Sequence, residues 1–292
     1  MVLNLVYTGG ANFGCAMKLK FWGTRGSIAV PGEETLRYGG NTTCLELVIE
    51  GAPRVIIDAG TGIRPLGREL AAEEGVRELV MLVTHLHWDH VMGFLFFAPV
   101  FIPGFEILVT GWPKAVQGLK SIFDTRQGDG HFPIHFDQLP ARVRTCPQRK
   151  APRFRLGEAL VRTTPLNHPQ GAVGFRFEQE GRSLVFITDN ELEGPGPLGL
   201  DDFARFVEGA RVLVHDAQYL PQEMERLRGY GHSDWSQVVK LARLAGVEHL
   251  VLTHHDPNRT DQDIDDLLAQ ARQAAGPNLR VDAAREGLVL TL

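Results

Sequence analysis

A dense group of metal-binding side chains lies near the end of the first third of the sequence. The segment 84–90 reads THLHWDH and supplies three histidines and one aspartate within six residues. His85 and His87 are two positions apart, so in an extended chain both imidazoles point to the same side and can bind one ion. Asp89 and His90 follow where the chain turns, and their side chains can reach a second ion. Buried imidazoles and carboxylates require partners, so the segment predicts a metal site.

Further acidic and imidazole groups follow short apolar runs elsewhere in the chain. Asp189 comes after SLVFI (183–187), Asp216 after VLV (212–214) and His254 after LVL (250–252). Open α/β sheets bind ligands outside the carboxyl ends of their strands, so these side chains are expected at one edge together with His85. For Asp216 the alternative of a simple helix cap stays open, because an aspartate at a strand end often has that role.

The elements that must position these groups are short, continuous apolar strands, each followed by a turn. Strands of this kind are usually buried on both faces, with helices outside, and they indicate an α/β protein. Ser233 is the expected N-cap of one helix, and Thr260 with Asp263 forms the expected capping box of another. The predicted strands are 55–57, 79–83, 183–187, 212–214 and 250–252, and the predicted helices are 64–74, 200–208, 233–245 and 260–274.

Length and composition fit one large domain. The chain has 292 residues and a formal net charge of −5, which gives no chain-wide basic surface for nucleic acid. No apolar run approaches the roughly 18–20 residues of a membrane helix. Three widely spaced cysteines are typical of a reducing compartment and predict a cytoplasmic protein. Residues 1–16 are interpreted as an extension, 17–292 as the domain, and 111–157 as an irregular insertion or lid.

Motifs along most of the chain resemble the metallo-β-lactamase superfamily. Its His-x-His-x-Asp-His segment matches residues 85–90, and its later segments match Asn167-His168-Pro169, Ile187-Thr188-Asp189 and 252–257 in order and spacing. The resemblance implies an αββα sandwich as the fold. It also implies one metal held by His85, His87 and His168, and a second held by Asp89, His90 and His254, with Asp189 bridging both.

The identity of the last ligand and of the metals is open at this stage. His254 and His255 compete for the final position, and His254 is preferred because it follows its strand as His85 follows its own. Two divalent cations are expected. Zinc suits imidazole and carboxylate ligands, and Mn²⁺ or Fe²⁺ suits them nearly as well.

A second motif indicates the branch of the superfamily. The segment Gly229–Trp235, GYGHSDW, resembles the His-Ser/Thr segment of RNase Z and of the related cyclic-phosphate phosphodiesterases. That resemblance implies that His232 lies near the scissile phosphate and that Asp216 orients it. The opening segment FWGTRGS (21–27) is also similar, which makes Arg25 a candidate contact for an anionic substrate, with an ordinary surface arginine as the alternative.

The function expected from these residues is a binuclear metal-dependent hydrolase acting on a small or cyclic phosphodiester. A hydroxide shared by two ions would attack, Asp89 would hold or deprotonate this nucleophile, and His232 would protonate the leaving group. An RNase Z-like endoribonuclease is the alternative. Folded RNA is less expected because no Gly- and Lys-rich arm is present. A lactone or thioester hydrolase, and a metal-stabilised binding protein, are further alternatives. A homodimer is possible, and no membrane partner is expected.

Overall fold

In the part of the chain that the structure describes, fourteen strands form two seven-stranded sheets. A computed structural model describes residues 17–123, 132–146 and 152–292. In spatial order the first sheet contains β14 (Val289–Thr291), β1 (Lys18–Gly23), β2 (Cys44–Val48), β3 (Arg54–Ile57), β4 (Glu78–Val83), β5 (Glu106–Gly111) and β6 (Arg142–Thr145). The second contains β13 (Arg280–Ala283), β12 (His249–Thr253), β11 (Val212–Asp216), β10 (Arg182–Ile187), β9 (Ala172–Gln179), β8 (Ala159–Leu166) and β7 (Arg153–Leu156).

Each sheet has a parallel half, which carries the candidate ligands apart from His168, a residue that follows the antiparallel strand β8. Strands β3 to β6 run parallel to one another, and so do β10 to β13, whereas the remaining pairs are antiparallel. Parallel neighbours end at the same edge of a sheet. The residues that follow β3, β4, β10, β11 and β12 are therefore delivered to the carboxyl edges, where ligand sites of α/β sheets lie.

Helices cover the outer face of each sheet. The described helices are α1 (Ile63–Ala72), α2 (Trp88–Val91), α3 (Ala115–Ser121), α4 (Leu200–Val207), α5 (Met224–Leu227), α6 (Trp235–Leu244) and α7 (Asp261–Ala275). Helices α1 and α3 pack on the first sheet, and α4, α6 and α7 pack on the second. The layers confirm the αββα sandwich expected from the motifs.

Strand β10 shows why the apolar runs are continuous. Leu184 and Phe186 belong to the core between the two sheets, whereas Val185 and Ile187 pack against the helices on the other side. Successive side chains of a strand point to opposite faces, so a strand with both faces covered needs apolar residues at every position. Polar residues can then be accommodated only where the strand ends.

The helix caps agree with the sequence at one position and not at another. Thr260 begins α7 with the expected capping box, since its hydroxyl accepts from the Asp263 amide at 3.2 Å and the Asp263 carboxylate accepts from the Thr260 amide at 2.7 Å. Ser233 is not the N-cap of α6, so that prediction is wrong. Asp234 is the cap, and it accepts from the Ser236 amide at 2.8 Å. The Ser233 hydroxyl is instead hydrogen-bonded to the Asn190 carbonyl at 2.6 Å.

Two predicted boundaries concern segments that the structure covers incompletely. The proposed extension 1–16 lies outside the described residues. Within 111–157, the described parts contribute helix α3 and the edge strands β6 and β7, one in each sheet. Among the described residues, no helix is long and apolar enough to cross a membrane.

The core between the sheets offers a test of the sandwich. Phe186 is 1% exposed and packs between the two sheets. Phe186→Ala is expected to lower the free energy of unfolding by about 3–5 kcal/mol, because it removes a buried ring and leaves a cavity. Urea denaturation would measure the loss. Leu244→Ala, at a side chain 59% exposed on α6, is the control and should change stability by no more than about 0.5 kcal/mol.

Candidate metal centre

Loops at the carboxyl ends of four strands and the short helix α2 deliver the predicted ligands to one place. His85 lies two residues beyond β4, and His168 lies two residues beyond β8. Asp189 and His254 follow β10 and β12. His87, Asp89 and His90 lie at the start of α2, whose first turn follows β4 so closely that the two groups of the motif remain adjacent.

The first ligand group consists of three imidazoles. One nitrogen from each of His85, His87 and His168 lies within 4.8 Å of the others. Nε2 of His168 is 3.0 Å from Nδ1 of His87. Nε2 of His85 is buried and has no hydrogen-bond partner. A buried ring nitrogen that lacks a partner is costly, and a cation shared by the three rings would remove that cost.

The second ligand group contains four buried side chains, Asp89, His90, Asp189 and His254. Nε2 of His254 lies 3.3 Å from Nε2 of His90 and 3.2 Å from Oδ2 of Asp89. Asp189 lies between the two groups. Its Oδ2 is 3.2 Å from Nε2 of His90, whereas its Oδ1 is 3.7 Å from Nε2 of His85 and 3.8 Å from Nε2 of His168.

The spacing of the nitrogens fits a divalent cation. A zinc–nitrogen bond of about 2.0 Å and tetrahedral angles place two ligand nitrogens about 3.3 Å apart. The pairs His87–His168 and His90–His254 are separated by 3.0 and 3.3 Å. Imidazole nitrogens and carboxylate oxygens are ligands that zinc, manganese and iron accept. The residues therefore fit the two-metal assignment.

The second nitrogen of each buried ring is held by another protein group. Nδ1 of His90 is 2.8 Å from Oδ2 of Asp58, and Nδ1 of His254 is 2.9 Å from Oε1 of Gln218. Nδ1 of His168 is 3.0 Å from the carbonyl oxygen of Gly231. Acceptors at Nδ1 fix the tautomer that leaves a lone pair on Nε2. Partners of this kind orient the ligands of metal sites.

Asp58 is a functional residue that the sequence analysis missed. Its side chain is fully buried, and besides His90 it accepts from the Thr84 hydroxyl at 2.8 Å and from the Thr84 amide at 2.8 Å. The Thr84 hydroxyl thus donates to Asp58 and is left to accept from Nδ1 of His85 at 3.0 Å. One carboxylate thereby orients a ring in each ligand group. The signal was present, because Asp58 directly follows the apolar run 55–57.

The pKa shifts of three of these residues suit metal ligands, whereas two imidazoles differ: burial would lower the pKa of His90 and of His254, but the carboxylates of Asp189 and Asp89 raise both. Burial lowers the pKa of His168 to about 4 and lowers the pKa of His85 well below its ordinary value. Burial alone would raise the pKa of Asp189, but the imidazoles of His254 and His90 hold it well below the usual range of a carboxyl. Metal ligands must be deprotonated, and these shifts favour a neutral imidazole and an ionised carboxylate near neutral pH.

The backbone at the site adopts conformations that are rare for residues with side chains. Asp58, Asp189 and His254 have φ values of 59°, 56° and 57°, in the left-handed region that non-glycine residues seldom occupy. Such conformations persist where the surroundings over-determine them. Asp58 and His254 directly follow β3 and β12, and Asp189 lies two residues beyond β10, so the turn after each strand points the side chain into the cluster. Gly231 permits a close approach, since a Cβ there would lie 2.2 Å from Nδ1 of His168.

His232 and Asp216 form a pair beside the two ligand groups. Nδ1 of His232 lies 3.4 Å from Oδ2 of Asp216, and its ring stacks on His254 with centroids 5.0 Å apart. Burial would raise the pKa of Asp216, but the neighbouring rings of His215 and His232 outweigh burial and lower it to about 2. Asp216 is therefore ionised throughout the physiological range. It is not a helix cap, since Asp234 caps α6.

The structure separates the roles of His254 and His255. Nε2 of His254 faces Asp89 and His90, whereas Nε2 of His255 is 2.8 Å from the carbonyl oxygen of Ala284. Burial lowers the pKa of His255 to about 3, so this ring is a neutral hydrogen-bond donor within the fold.

Arg25 is neither a surface arginine nor exposed toward a substrate, so both interpretations of it are wrong. Its side chain is completely buried. Nε donates to the Gly39 carbonyl at 2.8 Å, and Nη1 donates to the carbonyls of Asp256 and Arg259 at 3.2 and 2.7 Å. Arg25 thus ties an N-terminal turn to the loop that follows His254 and His255.

Sequence comparisons identify relatives over most of the chain. Residues 53–255 match the family described as the beta-lactamase superfamily domain. The chain is 30% identical over 249 residues to ribonuclease Z of Mycolicibacterium gilvum (strain PYR-GCK), covering 77% of this chain and 82% of the relative. It is 28% identical over 300 residues to ribonuclease Z of Pseudomonas putida (strain KT2440), covering 84% and 88%.

Solved structures with the same fold cover nearly the whole chain. A diphosphatase of the PhnP family superimposes with a TM-score of 0.65 at 19% identity, covering 95% of this chain and 98% of that one. The short form of human tRNase Z superimposes with a TM-score of 0.59 at 19% identity, covering 94% and 98%. At this identity the likeness is one of fold.

The role of Asp58 can be tested without changing a ligand. Asp58→Asn removes the charge that orients His90 and Thr84, and groups in this position typically contribute about 10–100-fold to metal affinity. We expect the variant to lose metal at a chelator concentration 10–100-fold lower than the wild type does, as measured by competition and elemental analysis. Asp137→Asn, in an exposed ion pair with Lys120, is the control. Equal retention by all three proteins would contradict the assigned role.

Proposed function

The chain belongs to the metallo-β-lactamase superfamily, in the branch that includes ribonuclease Z, and from that premise we propose that it hydrolyses small or cyclic phosphodiesters with two divalent cations. The broader class, a metal-dependent hydrolase of phosphodiesters, follows from its relatives. The observation that carries the two-metal part of this proposal is the carboxylate of Asp189. Its two oxygens face the two ligand groups, and His232 lies alongside.

The ligand groups would hold the cations next to each other. His85, His87 and His168 would bind one, and Asp89, His90 and His254 the other, with Asp189 shared. Bound divalent cations supply Lewis-acid activation of the phosphodiester and of water. Zinc is the first choice, with Mn²⁺ or Fe²⁺ as alternatives.

Asp89 is proposed to receive the proton of the attacking water. Its Oδ2 accepts from the Ser27 amide at 2.7 Å and lies 3.2 Å from Nε2 of His254. These contacts fix the carboxylate and assign Oδ2 to the ligand group. Oδ1 is then the oxygen that accepts the proton, and the Ser27 amide keeps the carboxylate from rotating as it does so.

His232 is proposed to protonate the leaving oxygen. Nδ1 faces the ionised Asp216, so the opposite nitrogen, Nε2, is the one that gives its proton to the departing alkoxide. Asp216 cannot swing away, because Oδ2 also accepts from the Ser233 amide at 3.1 Å and Oδ1 from the Asn190 amide at 3.2 Å. The ring is thereby oriented while the proton leaves from its other side.

A small substrate is favoured over folded RNA on electrostatic grounds. The net charge of −5 gives little attraction for a polyanion, whose binding depends on many Lys and Arg contacts. An endoribonuclease acting on RNA is the second candidate. It is favoured by the ribonuclease Z relatives, since the chain covers 82% of the length of one of them.

A substrate panel separates these functions. With the metal-loaded protein, we expect turnover of bis(p-nitrophenyl) phosphate and of a 2′,3′-cyclic nucleotide, followed by absorbance and chromatography. Precursor tRNA, a lactone and a thioester serve as the comparison substrates. Cleavage of tRNA without turnover of the cyclic nucleotide would establish the second candidate. Turnover of only the lactone or thioester would contradict phosphodiester chemistry, and turnover of nothing would indicate a binding protein.

Substitutions of the proposed ligands and of the proposed acid are expected to differ in their effect on the metal content. His85→Ala and Asp89→Ala are expected to abolish turnover and lower the metal content, because each removes a ligand. His232→Ala is expected to slow turnover by about 10²–10⁴-fold, the usual contribution of a general acid, with the metal content unchanged. Turnover and elemental analysis are measured together. His249→Ala is the control, since His249 pairs with Asp282 at 3.0 Å outside the cluster. Metal loss in His232→Ala would refute its role as the acid.

A further inference from the structure

A cavity of about 440 Å³ opens beside the first ligand group and is not used by the chemistry described above. We call it the Trp112 cavity. Small-molecule sites commonly measure about 300–1,000 Å³, so its size suits part of a small substrate. Its lining residues are Trp112, Pro113, Thr163, Thr164, Pro165, Leu166, Asn167, His168, Gly171, Ala172, Val173, Pro195, Gly196 and Pro197.

The lining is mostly apolar and carries no formal cation. It contains one tryptophan and four prolines, and its polar side chains are two threonines, Asn167 and His168. Among the described residues that line it, none is Lys or Arg. Phosphate recognition relies on such cations. The chemistry of the walls therefore suits an uncharged, flat group better than a second phosphate.

Hydrogen bonds hold two walls of the Trp112 cavity in place. Trp112 directly follows β5, and its amide donates to the Val83 carbonyl at 2.7 Å. The opposite wall, 195–197, is held by Asn167, whose Nδ2 donates to the Leu198 carbonyl at 2.8 Å and whose Oδ1 accepts from the Leu198 amide at 3.3 Å. Walls fixed before binding reduce the ordering cost of a ligand.

Gly171 leaves room beside the indole. A Cβ at this position would lie 3.3 Å from Cη2 of Trp112, and the φ of Gly171 is 87°. A side chain there would be strained and would crowd the ring edge. The glycine therefore keeps the edge of the indole uncrowded where Trp112 borders the cavity.

His168 connects the cavity to the candidate metal centre. His168 is one of the residues that line the cavity, and its Nε2 lies 3.0 Å from Nδ1 of His87 in the first ligand group. A phosphodiester held at that group has two ester substituents. One of them leaves, and the other can extend past His168 into the Trp112 cavity.

We propose that the Trp112 cavity binds the retained substituent of the phosphodiester, that this substituent is a planar uncharged group such as a nucleobase, and that Trp112 stacks on it. The inference rests on the proposed phosphodiesterase function and narrows its substrate class to esters that carry such a group. Stacking of a base on an aromatic side chain is sequence-tolerant, so the site selects for a flat ring rather than for one particular base.

Two substrates with the same leaving group test the assignment. Thymidine 5′-(p-nitrophenyl phosphate) and methyl p-nitrophenyl phosphate each lose p-nitrophenolate when water adds to phosphorus, and they differ only in the retained group. With the metal-loaded protein, Trp112→Ala is expected to lower kcat/KM for the thymidine ester about tenfold, mainly through KM. For the methyl ester kcat/KM should stay within about twofold. Trp112→Phe keeps an aromatic ring and should retain most of the activity.

The control is Phe96→Ala, since Phe96 is 59% exposed and does not line the cavity. It should affect neither ester selectively. Circular dichroism of each variant verifies folding, and Trp112→Leu, which keeps an apolar side chain without an aromatic ring, replaces Trp112→Ala if that variant does not fold. An equal loss for both esters, or no loss for either, overturns the cavity assignment while leaving the phosphodiesterase proposal intact.

A binding measurement without turnover tests the nucleobase site independently of the phosphodiesterase proposal. Thymidine 5′-phosphate is titrated calorimetrically into the metal-loaded wild type and into Trp112→Phe and Trp112→Ala. Trp112→Ala is expected to bind it about tenfold more weakly than the wild type. Equal affinity overturns the assignment of Trp112. If the wild type hydrolyses neither ester but the affinity difference is present, the proposed function fails and the nucleobase site stands.

Discussion

The convergence of seven imidazole and carboxylate side chains, five of them buried, at the joint edge of two sheets is the constraint on which the rest of the structure depends. Removing such groups from water is costly unless each finds a partner. Here the outer nitrogens of the rings are satisfied by Asp58, Gln218, Thr84 and the Gly231 carbonyl, and the inner atoms converge on one another. The inner atoms are imidazole nitrogens and carboxylate oxygens, a set of groups that a cation between them would stabilise.

The surrounding fold can be understood as the support of that edge. Parallel strands bring the polar residues to one side, and the left-handed backbone at Asp58, Asp189 and His254 points them inward. Arg25, entirely buried, donates to the Asp256 and Arg259 carbonyls of the loop after the last of these strands and to the Gly39 carbonyl of an N-terminal turn. The two apolar layers on either side of each sheet provide the rigidity that strained turns of this kind require.

Much of this arrangement was predictable because buried strands require apolar residues. Polar residues directly after such strands are therefore conspicuous in the sequence. His85, Asp189, Asp216 and His254 stood out for that reason, and the fold followed from the motifs in which they occur. Asp58 obeyed the same rule but was overlooked, since its contribution depends on which ring it meets across the sheet. The role of Arg25 could not be predicted either, because its partners are carbonyl groups about 230 positions away. Ser233 was predicted to cap the start of α6. Its hydroxyl instead donates to the Asn190 carbonyl, a tertiary partner that the local sequence does not reveal.

The position of the Asp189 carboxylate affects how the protein would bind and release two cations. Because one oxygen faces each ligand group, the charge that a cation would meet at one group would depend on whether the other group was already occupied. Occupancy at one position and affinity at the other would then be thermodynamically linked in both directions. A protein with one cation bound would differ electrostatically from the empty and the fully loaded forms, and its two positions would titrate as a coupled pair.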